Sequence, residues 1–274
     1  MKENLSYASQ IQTSMLISEA DVHQHLPESF VIYMPKQQVG GDFYWLSNTS
    51  EYFSDTGEIQ HHANDKTVIA VGDCAGKGIS SALLSMVGVQ MLHEIINLQG
   101  IKGAKKALDI LNHNFGQTLN YKQGNIFYGL DIAICSIDWH NKVLEFAGAM
   151  RPIIYIQRGE LHLIKGESFP VGVEADTDGL HQGFAKHEIS FSVPTTVYML
   201  TDGFEDQLGG PEHRKYMFRR MKELLLAIHD LPMETQKLHL EREFLEWKGS
   251  EVQIDDMCIV GFRIPRKAPK TYGI

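Results

Sequence analysis

The sequence predicts an α+β fold, in which helices are set between distant β segments instead of alternating with them in regular βαβ units. Two observations predict it. Short β-rich runs separated by Gly, Pro, Asn or Asp recur from residue 129 onward, and helical periodicity is confined to a few separate stretches between distant β segments. A chain of 274 residues is better read as one domain with sizeable insertions than as two equal domains.

The N-terminal stretch 5–18 reads as a short helix, with Tyr7, Ile11, Met15 and Leu5 as an apolar packing stripe that can also continue an upstream signalling helix. Phe30 to Met34 and Phe43 to Leu46 read as strands on either side of the turn from Pro35 to Gly41. Residues 47–65 are polar and turn-rich, a loop or a loosely formed hairpin extension. Lys66 to Gly72 is a buried-strand candidate leading into DCAGKG and an apolar helical run. Leu84, Val87, Gly88, Met91, Ile95 and Leu98 recur at helical spacing, and Ala104, Ala107, Leu108, Leu111, Phe115 and Leu119 repeat the pattern, so two helices are expected with a break at Gly100 and Gly103.

The period then changes. LDIAICSID, KVLEFAG, PIIYIQRGELHLIK, HEISF and TVYMLT read as strands of a largely antiparallel sheet system, with a hairpin turn at Gly159-Glu160. Helical periodicity returns at about 213–229, where Met217, Met221, Leu224, Leu225 and Ile228 share a side. After Pro232 a second helix is expected at about 233–247, and MCIVGFRI supplies a final strand.

Composition narrows the function. Apolar residues make up 43% and charged residues 22%, which excludes a largely disordered chain. Asp and Glu number 34 against 25 Lys and Arg, for a net charge of −9 without a basic tract, which argues against a nucleic-acid partner. A bound cation can still bring a phosphorylated ligand to an acidic protein. Cys74, Cys135 and Cys258 form no C-x-x-C unit, and their odd number without a signal peptide points to a reducing compartment. The polar N-terminus contains no membrane-spanning run, so a cytoplasmic domain is expected, open to indirect membrane association through a partner or a longer parent chain.

Four acidic turns carry the chemistry. Asp42 follows Gly40-Gly41 at the start of a strand, Asp73 ends the strand before Cys74-Ala75-Gly76-Lys77-Gly78, Asp202 ends the TVYML strand before Gly203, and Asp255-Asp256 precedes MCIVGFRI. Each is ordinary alone. Together, at strand ends, they suggest convergent oxygen ligands for magnesium or manganese, with the Cys74 carbonyl as a further ligand. Gly76, Lys77 and Gly78 are not a Walker A loop, since Gly78 stands where Ser or Thr is needed, but they can form a phosphate-binding turn at a helix start. Simple turn chemistry explains them equally well. GGDF also resembles part of a cyclic-dinucleotide synthase signature, yet lacks the acidic residue before the phenylalanine.

GGDFYW, VGDCAGKGISSALLSM, FYGLDIAI, LEFAGAMRPIIYI, IKGESFPVGV, MLTDGFEDQLGGP and EVQIDDMCIVGFRI, taken in order, resemble the blocks of the bacterial SpoIIE-like or RsbU-like branch of the PPM metal-dependent protein phosphatases, over roughly residues 5–264. The resemblance implies an αββα sandwich of two central, largely antiparallel sheets flanked by helices. It implies a helix and linker at 1–28, a phosphatase domain at 29–264 and a short tail at 265–274. It also implies hydrolysis of phosphoserine or phosphothreonine at two divalent ions, Mn2+ or Mg2+. On this pattern Asp42, Asp73, Cys74 (through its carbonyl), Asp202 and Asp255 are metal ligands, Asp73 bridges the two ions, and Asp256 adjusts the site or contacts a coordinated water. The implied partner is a phosphorylated STAS-domain anti-sigma-factor antagonist, with an upstream sensor, a regulatory partner or a homodimer as routes of control.

Two departures stand out: Trp45 replaces an aspartate common in relatives, and no phosphate-binding arginine lies near Asp42. Arg151, in the AGAMRP block, reads as an edge or packing residue. Two metals roughly 3.5–4 Å apart would polarise phosphate oxygens and activate a hydroxide for direct attack. The Cys74 thiol, without a neighbouring histidine or basic phosphate loop, reads as packing. A phosphoprotein-binding, partner-switching module with weak or lost catalysis is the alternative from another class.

Overall fold

The computed structural model describes residues 2–48, 51–53, 59–61, 66–119, 129–172 and 183–264. Two five-stranded antiparallel sheets form the centre. The first runs in the order β1 (Ser29–Met34), β14 (Met257–Ile264), β11 (Thr195–Leu200), β8 (Ile153–Gln157) and β9 (Glu160–Ile164). The second runs β10 (His187–Ser190), β7 (Val143–Ala149), β6 (Leu130–Asp138), β5 (Lys66–Cys74) and β2 (Asp42–Asn48).

Side-chain alternation assigns the layers. Along β14, Cys258, Val260, Phe262 and Ile264 enter the core between the sheets, whereas Met257 and Ile259 face the other way. Along β5, Ile69 and Val71 point between the sheets while Val68 and Ala70 turn outward. Because both faces are covered, such strands read as continuous apolar runs with no polar face. The outer face of the β2–β5–β6–β7 sheet is covered by α3 (Ile79–Leu92) and α4 (Ala104–Thr118). That of the other sheet is covered by α6 (Phe218–Ile228) and α7 (Met233–Lys248). The arrangement is the αββα sandwich, and full burial of each large apolar side chain in it stabilises by about 1.5–3 kcal/mol.

Several elements differ from expectation for local reasons. The N-terminal helix α1 (Lys2–Met15) stops early, and Ser18 caps a separate α2 (Glu19–His25) by accepting a hydrogen bond from the Asp21 N–H. Tyr7, Ile11 and Met15 are exposed; α1 turns Gln12 inward instead, and Leu16, just past its end, is buried. Leu98 is also exposed, because α3 continues into a π-helical turn at His93–Leu98, which shifts the inward face to Ile95 and Ile96. With that turn the helix is long and apolar enough by composition to cross a membrane, yet more than half of its span is buried inside the molecule, as in a core helix.

The hairpin turn between β8 and β9 is Arg158-Gly159, both with positive φ, and Glu160 already belongs to β9. The helix expected from 213 begins only at Phe218. Ahead of it β12 (Leu208–Gly209) pairs with β13 (Arg214–Lys215), and Met217, at φ +75, is exposed. The polar 47–65 stretch does form a hairpin, β3 (Glu51–Phe53) with β4 (Ile59–His61). The 265–274 tail lies outside the described residues.

Candidate metal centre

Strand register builds the site. Asp42 on β2 pairs with Asp73 on β5, and Asp73 pairs with Asp131 on β6, so three carboxylates stand in a row across adjacent strands. β5 is two residues longer than expected because Asp73 and Cys74 continue this ladder. Asp202 enters from the other sheet, where β11 ends and the short helix α5 (Gly203–Asp206) begins. Asp255 precedes β14, and its Oδ1 accepts the Asp256 N–H at 2.9 Å.

Close backbone approach fixes these positions. A Cβ on Gly41 would lie 2.7 Å from the Cys74 carbonyl oxygen and 2.9 Å from Ser81 Cβ, so glycine is needed where the two turns touch. A Cβ on Gly203 would fall inside the Asp256 carbonyl, which explains the glycine after Asp202. Asp256 has both oxygens occupied: Oδ1 accepts the Lys36 N–H and Oδ2 the Gly41 N–H, each at 2.7 Å. Its carboxylate braces the Gly40-Gly41 turn. From the opposite side Gln12 donates to the Gly40 carbonyl at 2.6 Å and accepts the Gly40 N–H at 3.2 Å, tying α1 to the same turn.

Asp42 is 2% exposed and receives the Thr201 hydroxyl at 2.6 Å, while Thr201 in turn accepts the Cys258 N–H at 2.9 Å. Burial, then the Asp73 charge, pushes the Asp42 pKa well up, against the lowering effect of the Thr201 hydrogen bond. Asp73 is pushed up to about 7, mainly by burial, with Arg151 lowering it and Asp202, Asp131 and Asp255 raising it. Burial likewise raises Asp131, Asp255 and Glu205, the last to about 7. Carboxylates held in this way are short of positive charge.

Arg151 is not an edge or packing residue. Its guanidinium lies among the carboxylates, with Nη2 at 2.7 Å from Asp73, 2.7 Å from Asp202 and 3.3 Å from Asp131. No group of three or more His, Cys, Asp or Glu side chains among the described residues forms a ready coordination shell. The donor set nevertheless suits a hard divalent cation: all-oxygen, acidic, partly buried and with raised carboxylate pKa values. Trp45 is buried on β2 and offers no oxygen ligand. Cys74 is also buried, with its thiol pKa pushed up by burial, and is unsuited to nucleophilic attack. Gly76, Lys77 and Gly78 form the turn into α3, with Gly78 at φ +70 as N-cap and Lys77 exposed, its charge lowering the Asp255 pKa.

Asp131, Arg151 and Thr201 are absent from the set read in the sequence. A lone aspartate inside the apolar strand LDIAICSI was the available signal for Asp131. Arg151 and Thr201 are placed by contacts between segments distant in the chain.

The profile of the family described as Stage II sporulation protein E (SpoIIE) matches residues 63–265. Among solved structures, the SiaA-PP2C domain of Pseudomonas aeruginosa is 27% identical with a TM-score of 0.81, over 96% of each chain. The PP2C phosphatase domain of the cell fate determinant SpoIIE from Bacillus subtilis, solved with a fragment of its regulatory domain, is 18% identical with a TM-score of 0.66, over 88% of this chain and 64% of that one. The RsbU and RsbW domains of a Mycobacterium tuberculosis protein are 16% identical with a TM-score of 0.64, over 89% of this chain and 62% of that one. No curated protein sequence matches the chain.

Proposed function

Since this chain belongs to the SpoIIE family and is a PPM-type protein-serine/threonine phosphatase, we propose that it dephosphorylates a phosphoserine or phosphothreonine protein at a centre of two divalent ions. The observation that carries this reading is the row Asp42, Asp73 and Asp131 facing Asp202 across the ends of two sheets. Asp42, Asp73, Asp131, Asp202, Asp255 and the Cys74 carbonyl are the proposed ligands, Mg2+ or Mn2+ the proposed ions. Divalent ions held there supply Lewis acidity toward phosphate oxygens and lower the pKa of water.

The chain's own groups do the positioning. Thr201 fixes Asp42, Asp256 and Gln12 fix the Gly40-Gly41 turn beside it, and Gly203 lets Asp202 approach the Asp255-Asp256 segment. Lys77 and the glycines around it, at the start of α3, are proposed to meet the substrate phosphate, where exposed N–H groups and a cation favour an anion. The proposed substrate is a phosphorylated STAS-domain anti-sigma-factor antagonist, the class that the sequence resemblance implies.

A second reading, a phosphoprotein-binding module without robust turnover, is favoured by one observation: Arg151 fills the space between the carboxylates. Phosphate release from a phosphoserine STAS-domain protein, measured in Mn2+, in Mg2+ and in EDTA, separates the two. Metal-dependent turnover that drops by 100-fold or more, on the order expected for removal of a charge-stabilising group, in Asp73→Asn and Asp202→Asn supports the enzyme. Binding without release in either metal supports the module.

A further inference from the structure

We propose that Arg151 is the positioning residue of this centre: its guanidinium gathers Asp73, Asp131 and Asp202, and it competes with an incoming divalent ion for the same oxygens. The inference rests on the metal-centre reading above, and three observations carry it.

The first is the contact pattern. A single nitrogen, Nη2, reaches Oδ2 of Asp73 and of Asp202 at 2.7 Å and Oδ2 of Asp131 at 3.3 Å. Arginine usually grips one carboxylate with two parallel N–H groups. One nitrogen shared by three carboxylates from β5, β6 and the end of β11 is instead the placement of a point cation.

The second is that the position is built. Met150 holds φ +61 and donates its N–H to the Glu167 carbonyl at 2.7 Å, while the Arg151 N–H donates to the Ala149 carbonyl at 2.7 Å. A Cβ on Gly148 or Gly166 would run into the Arg151 carbonyl oxygen, so the backbone that aims this side chain is clamped between two glycines.

The third is the unused donor. Arg151 is 8% exposed, yet its Nε is buried with no hydrogen-bond partner among the described residues. Buried donors are nearly always paired in folded proteins, so an unpaired one calls for a functional explanation. Here the side chain leaves Nε unpaired while Nη2 donates to Asp73 and Asp202 and stands 3.3 Å from Asp131.

Charge sets the direction of the competition. Several convergent carboxylates face one guanidinium, and a divalent ion brings twice its charge on a smaller radius to the same oxygens. Arg151 therefore keeps the carboxylates convergent before loading and must give up its Nη2 contacts as loading proceeds. Removing it weakens the metal-free site and strengthens metal binding. A purely structural arginine predicts that both weaken.

The test is Mn2+ titration by calorimetry of the wild type, Arg151→Gln and Arg151→Lys, with melting temperatures measured in EDTA. Arg151→Gln is expected to bind Mn2+ on the order of tenfold tighter and to melt lower in EDTA. Arg151→Lys, which keeps the charge but not the reach, is expected to fall between. Equal or weaker Mn2+ binding by Arg151→Gln overturns the competition alone. A wild type that binds neither Mn2+ nor Mg2+ overturns the metal-centre reading and the competition with it. If Arg151→Gln does not fold, the wild-type Arg151 Nε–Hε resonance, assigned by its loss in Arg151→Lys, decides: it shifts during Mg2+ titration if the side chain is displaced, and a resonance that stays put while Mg2+ binds overturns the proposal.

Discussion

Among the described residues Asp42 is held by one neutral donor, the Thr201 hydroxyl, and that bond joins the ends of the two sheets. Thr201→Val keeps the shape but leaves a buried carboxylate oxygen and the Cys258 N–H without partners. Loss of a partner to a buried polar group costs about 1–3 kcal/mol, so the urea midpoint of metal-free protein should fall accordingly. Mn2+ binding near neutral pH should weaken as well, because the lost bond was lowering the Asp42 pKa. An unchanged midpoint would count against the role given to Thr201. At this scale Asp42, Asp73, Asp202 and Asp255 were legible because each sits where a glycine-containing turn or an acidic pair meets a strand. Asp131 was not, since its relevance comes from lying opposite Asp73 on a neighbouring strand. Asp256 reads in sequence as a twin of Asp255, but three-dimensional contacts commit its oxygens to the Lys36 and Gly41 amides.

The elements deliver these residues through backbone contacts. The β11–α5 junction packs against the segment entering β14 so tightly that Gly203 has no room for a side chain. Gly203→Ala is therefore expected to shift the backbone carrying Asp202, at a cost of about 1–3 kcal/mol or more. Paired urea and Mn2+ titrations should show lower stability together with weaker metal binding. A variant as stable as wild type that still loads Mn2+ normally would show that the junction can relax. Most elements were readable from periodicity, including the 104–118 helix, whose inward residues are those with helical spacing. Sequence and structure part where local pattern is overridden: a π-turn rotates Leu98 outward, and a short hairpin occupies residues at which helical spacing begins.

Across the whole molecule, the concentration of carboxylates couples stability to pH. Asp73 and Glu205 are pushed up to about 7, from ordinary values near 4. Between those limits the native state binds protons that the unfolded chain has released, so the stability of metal-free protein falls as pH rises from about 4 to 7. Asp138 has a lowered pKa and so loses its contribution only below that window, as pH falls. Melting curves in EDTA should follow this descent, and Mn2+ should raise the melting temperature more at pH 7.5 than at pH 5, because its ligands must be deprotonated. A melting temperature that climbs steadily from pH 4 to 7 in EDTA would contradict the assignment.

The sequence by itself determined the α+β class, most strand and helix positions and the aspartates at turns, because these follow from side-chain period and from the local chemistry of glycine and proline. Its ordered blocks also carried the family resemblance. Only the tertiary structure decided which carboxylates share one site and which cation faces them. That depends on the register of β2, β5 and β6 and on the close approach of two sheets whose contributing residues lie far apart in the chain. Arg151 is the clearest case: nothing within AGAMRP reveals three aspartates, and only folding brings Asp73, Asp131 and Asp202 around its guanidinium.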